Sequence, residues 1–167
     1  MAQRKQRQHS HCPRCQATDE HLLHILTCPD PSTKDLHSKL VGELQEFSVK
    51  IKTRPDITTF FTLGLSKWFN DQSLFWSQSS HIFTNNESTN KSISSQISIG
   101  WFPSLCGFIS SALVETQQVY LTEIGSRKSS RRWATELIKH RWRIIHQHGN
   151  TEMTYFIIPI NWLYCQA

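Results

Sequence analysis

The run Cys12-Pro13-Arg14-Cys15, followed by His21, His24 and Cys28, constrains this chain more than any other stretch. Two residues separate the first pair of cysteines, so a tight knuckle turns both thiols toward one point. Zinc takes four soft or borderline donors in a tetrahedron, and Cys12, Cys15, one histidine and Cys28 supply that set. The segment 20–26 reads as a short helix that brings its histidines round to the same point. His21 and His24 are three apart and share a helical face. His24 is the favoured ligand, because the stretch between it and Cys28 falls within the usual closing gap of about three to five residues. His21 is the alternate. Four protein ligands leave no position for water, so the predicted Zn2+ site is structural and not catalytic. A close cysteine pair is also a redox motif, but the third cysteine and the histidines favour metal.

Cysteine usage fits that reading. Five are present, an odd number, with Cys106 and Cys165 far from the first three. This is not the pattern of a secreted disulfide framework, and it points to a reducing compartment. Residues 1–11 form a basic, flexible tail with no apolar run resembling a signal peptide. The most apolar late segment, 153–165, is too short to span a bilayer. The expectation is an intracellular, nuclear protein without a membrane.

The rest of the chain reads as mostly α, a small zinc-knuckle-like module (12–31) followed by a helical region. Ser32 is the expected N-cap of a helix through Leu36, Leu40, Leu44, Phe47 and Ile51, with His37 on its surface. A second helix follows Asp56 through Phe60, Phe61, Leu65, Trp68 and Phe69, completing a helical region over 32–83. Residues 84–96, rich in Asn, Ser and Thr, read as a polar linker. A second helical region covers 97–148, with a stop at Gly125 and a cap at Ser126. Residues 149–167 change to β-branched and aromatic composition, an irregular or strand-like tail that suggests a truncated or shifted reading frame.

Formal net charge is +5 and the pI is near 9.1, which leans toward nucleic acid or an acidic partner. The cations concentrate in the last helix: Arg127, Lys128, Arg131, Arg132, Lys139, Arg141 and Arg143 stand against Glu136 alone. Such a surface suits phosphate contacts, which give affinity for DNA or RNA without base specificity. No Gly-rich phosphate loop, nucleophile elbow or H-E-x-x-H is present. The acidic residues are too scattered for a two-metal nuclease or polymerase site. The expectation is therefore no enzyme.

The pieces C-P-R-C and D-E-H-L-L-H-I-L-T-C-P-D-P resemble the cysteine-rich module near the C-terminal end of reverse-transcriptase-bearing retroelement polyproteins. Those modules read C-P-x-C, an acidic and threonine-rich stretch, then H-x-L-x-C-P, onto which Cys12, Cys15, His24 and Cys28 fall. The inserted H-L-L at 21–23 leaves the histidine open between His21 and His24. The pieces I-G-W-F-P-S-L-C-G-F-I-S and Y-L-T-E-I-G-S-R-K-S-S-R-R-W-A-T-E-L-I, within 99–145, resemble the tail that follows this module. Residues 146–167 depart from it. The resemblance implies a nucleic-acid-associated fragment of a mobile element, working with other chains of that machinery. It carries over no polymerase residues.

Overall fold

The computed structural model describes residues 11–17, 19, 21–70 and 86–148. Among them lie seven helices: α1 (Leu22–Thr27), α2 (Ser32–Lys50), α3 (Pro55–Asn70), α4 (Glu87–Ile99), α5 (Trp101–Leu105), α6 (Ser111–Glu123) and α7 (Ser130–His148). The mostly α expectation holds, with the Cys/His module at the N-terminal end. The tail 149–167 and the stretch 71–85 lie outside the described residues.

α2 and α3 form an antiparallel hairpin, and α4 pairs with α6. α7 closes the bundle by packing on α2, α5 and α6. One core runs through all of these pairs, from Leu26, Leu40 and Leu44 through Phe60, Phe61 and Leu65 to Leu113, Leu121, Trp133, Leu137 and Ile144. These side chains are the apolar stripes of each helix, and their burial is the main force holding the bundle.

The caps differ from the sequence reading in detail. Pro31 occupies the position before α2, and Asp30 Oδ1 accepts from the Ser32 backbone N–H at 2.9 Å, so Asp30 satisfies the free amide in place of Ser32. Pro55 opens α3, where its missing N–H costs nothing. Gly125 has φ +64 and ends the turn after α6, as expected. α7 starts at Ser130, later than the Ser126 cap implies. Ser129 Oγ accepts from the Arg132 N–H, and Ser126 Oγ instead accepts from Lys128 N–H.

The polar linker is the larger correction. Residues 87–99 are helix α4, capped by the Asn86 side chain on Thr89 N–H. Three of its polar residues, Thr89, Ser92 and Gln96, are turned inward. Ser92 bonds Ser88 O along its own helix and Thr116 across to α6. The Gln96 amide accepts from Ser110 N–H at 2.8 Å and donates to Phe108 O at 3.3 Å. A composition that looks solvated is here the polar seam of a helix pair, with the buried Ser92 and Gln96 side chains both partnered.

Two more latches tie the hairpin to the other helices. Gln117 on α6 accepts from Arg54 N–H and donates to Lys52 O, both at 2.9 Å. The Trp133 indole N–H donates to Thr53 Oγ1 at 2.8 Å. Both grip the turn between α2 and α3, whose Lys52 has a left-handed φ of +61.

Candidate metal centre

The knuckle is built by backbone first. Gln16 N–H donates to Cys12 O at 2.8 Å, closing a turn that Gln16 completes with φ +54. A single antiparallel bridge between His11 and Asp19 closes the loop, and their side chains approach to 3.6 Å. The chain then enters α1, one turn and a half long. His21 sits at its N-cap, with Nδ1 accepting from His24 N–H at 3.2 Å. That bond occupies one ring nitrogen of His21, and it leaves His24 one turn further on, facing the knuckle.

Cys12, Cys15, His24 and Cys28 converge. Their donor atoms all lie within 4.8 Å of one another; Cys12 and Cys28 Sγ are 3.9 Å apart, and Cys15 Sγ is 3.3 Å from His24 Nε2. Zinc bonds of ~2.0–2.3 Å in a tetrahedron give donor edges of roughly 3.3–3.8 Å. A small contraction of the group therefore meets the ion's demand. Cys12, His24 and Cys28 are buried and Cys15 is partly so. This group can hold a metal ion through three sulfurs and one imidazole nitrogen. His24 presents Nε2, while His21 is a capping residue outside the group.

The thiols are not equivalent. Cys15 is drawn down to about 6, chiefly by a hydrogen bond from the Ala17 backbone, against a smaller opposing effect of burial. Burial pushes the Cys28 thiol up. One sulfur is thus prepared as a thiolate and another is held protonated until a cation offsets its burial.

The module is anchored to the bundle through α1. Ile25 and Leu26 are buried, and Leu26 joins the bundle core. The Leu26 carbonyl accepts from His37 Nε2 at 2.7 Å, and the His37 ring stacks on Phe69 with centroids 3.8 Å apart. His37 is therefore a docking residue between α1, α2 and α3, not the surface residue its position suggests. Burial lowers its pKa, which favours the neutral ring.

The seven cations do not form one surface. Arg127, Arg131, Arg132, Lys139 and Arg143 are exposed, Lys128 is half-buried, and Arg141 is 0% exposed. Glu136 takes both Lys128 Nζ (2.6 Å) and Arg132 Nε (2.8 Å), neutralising much of their field. Arg131, Lys139 and Arg143 fall at four- and eight-residue steps on the outer face of α7. Arg143 Nη2 donates to His140 Nδ1 at 2.6 Å, so His140 carries its proton on Nε2 and donates it to Glu43 O at 3.2 Å. Arg141 belongs to the core side of α7, between Leu137 and Ile144, and is withdrawn from the phosphate-contact set.

No family model, curated protein or solved structure matches this chain.

Proposed function

We propose that this chain is a non-catalytic, zinc-stabilised helical protein that contacts nucleic acid without sequence preference, as a piece of a mobile-element protein. The observation that carries the reading is the closed set of Cys12, Cys15, His24 and Cys28. Three sulfurs and one nitrogen are a soft donor set suited to zinc, with every tetrahedral position taken by protein. The ion would supply a crosslink between the knuckle and the end of α1, and folding energy with it. Exposed Arg127, Arg131, Lys139 and Arg143 support the phosphate contact. The nuclear location and the mobile-element origin rest on the charge and on the motif resemblance.

A zinc-stabilised protein-interaction module is the second reading. It is favoured by the pairing of Lys128 and Arg132 with Glu136 and by the burial of Arg141, which thin the basic face. A salt titration separates the two. With four phosphate contacts, log affinity for duplex DNA falls against log salt with a slope of about −3.6, and for single strands about −2.8. A slope near zero, or no binding at low salt, removes the nucleic-acid reading and leaves the interaction module.

A further inference from the structure

Arg141 is a fully buried charge that neither the metal centre nor the outer face of α7 uses. Its guanidinium carbon lies 5.4 Å from the centre of the Phe61 ring on α3. Nη1 donates to Ser104 Oγ on α5 at 3.2 Å. Nε and Nη2 are buried and make no hydrogen bond. No carboxylate of the described residues pairs with it, and burial draws its pKa down to about 10. A buried cation without an anionic partner is among the costliest arrangements in a protein interior.

The identity of the two vacant nitrogens is informative. Nε–H and the adjacent Nη2–H point the same way in the guanidinium plane. Together they form the side-on fork that grips a carboxylate or phosphate through two parallel bonds. Nη1, outside that fork, is the nitrogen already used. Ser104 Oγ accepts from Nη1 and keeps its own O–H as a further donor. The segment that carries Ser104 is the five-residue α5, flanked by Gly100 at φ +89 and Gly107 at φ +108. Both glycines hold backbone conformations that other residues rarely adopt.

We propose that the junction of α3, α5 and α7 is an oxyanion site, taking a carboxylate or phosphate group on the Nε/Nη2 edge of Arg141, with Ser104 holding the guanidinium from its Nη1 side. Entry is by displacement of α5 between its two glycines, since the guanidinium is covered. The site is independent of the metal centre and of the outer face of α7.

The test uses the reduced, zinc-loaded full chain with ¹⁵N-labelled arginine. Inorganic phosphate and acetate are titrated separately against sodium chloride at matched ionic strength, and the two arms distinguish the anion classes. A saturable shift of the Arg141 Nε–H resonance is expected with one or both, assigned by its loss in Arg141→Met. At about a hundredfold excess over Kd the same anion raises Tm by several degrees. Ser104→Ala weakens the apparent affinity by about tenfold, because the one hydrogen bond that positions the guanidinium is lost. Arg141→Met is as stable as wild type in chloride and gains nothing from the anion. An unmoved Nε–H resonance overturns the proposal. So does a Tm gain that persists in Arg141→Met, which marks an adventitious ion only, on the outer cations. An Nε–H already hydrogen-bonded without added anion overturns it as well, because the chain's own carboxylate then fills the fork. Should Arg141→Met fail to fold, the Nε–H resonance is assigned by its displacement in Ser104→Ala, and its titration in wild type decides.

Discussion

The Cys12–Cys28 module and the α2–α7 bundle are held by different physics. The bundle buries the stripes of six helices in one core and ties its elements together through the hydrogen bonds of Gln96, Gln117 and Trp133. The module buries little beyond Cys12, His24, Ile25, Leu26 and Cys28. Its one helix has six residues, too short to persist alone in water. A segment of that size needs a staple, and the convergent sulfurs are positioned to provide one. The contrast teaches that side-chain burial sets the bundle's stability, while donor chemistry sets the module's.

The largest effect should follow from taking the staple away. Chelation, or Cys28→Ser, should unfold the knuckle and α1 while leaving α2–α7 helical. Apparent zinc binding energies on the order of 10 kcal/mol set the scale of the loss. Amide exchange should show protection disappearing over residues 11–28 and persisting in α3, α6 and α7. Collapse of the whole bundle would break the contrast, since it would make the metal part of the global core. Leu44→Ala is the reverse experiment. A fully buried leucine in the bundle should cost about 3 kcal/mol in a denaturant titration. Zinc content should remain at one per chain.

The same contrast explains how far the sequence could be read. The ligand set was legible because its donors lie within one short stretch, where spacing alone limits what can meet. The choice of His24 over His21 followed from the closing gap, and the capping bond from His24 N–H to His21 Nδ1 gives it a structural cause. The bundle was legible in its apolar stripes and illegible in its polar seams. Ser92, Thr116 and Gln96 satisfy one another or the backbone across α4 and α6, so their polarity did not mark a linker. Arg141 was misplaced for a related reason. It sits four residues after Leu137 and three before Ile144, on the apolar stripe, but its charge suggested the outer face. His37 was hidden because its partners, Leu26 O and Phe69, come from other elements.

Smaller changes sharpen the boundary between the two regions. His21→Ala removes the cap of α1 without removing a ligand. It should cost about 1 kcal/mol, the usual worth of a side-chain cap, and should be seen as faster amide exchange in α1. Zinc stoichiometry should stay unchanged. His140 probes the bundle alone. Burial, with Arg143 and Lys50 nearby, holds its pKa below 6.5 against weaker opposing effects of Glu43. The unfolded chain therefore takes up the proton first. The stability His140 contributes is complete above about pH 6.5 and is lost as pH falls from there toward the folded value. Wild type should lose more stability than His140→Gln between pH 7.5 and pH 6, measured on the α2–α7 transition. An equal loss in both would remove His140 as the cause.

The central claim is that Cys12, Cys15, His24 and Cys28 close around one zinc ion. X-ray absorption at the zinc edge of the reduced, full chain tests it most directly. The expected shell is three sulfurs at ~2.3 Å and one nitrogen at ~2.0–2.1 Å. It should survive His21→Ala and lose its nitrogen in His24→Ala. A protein that binds no stoichiometric zinc, or a shell of two sulfurs and two lighter atoms, would contradict the account.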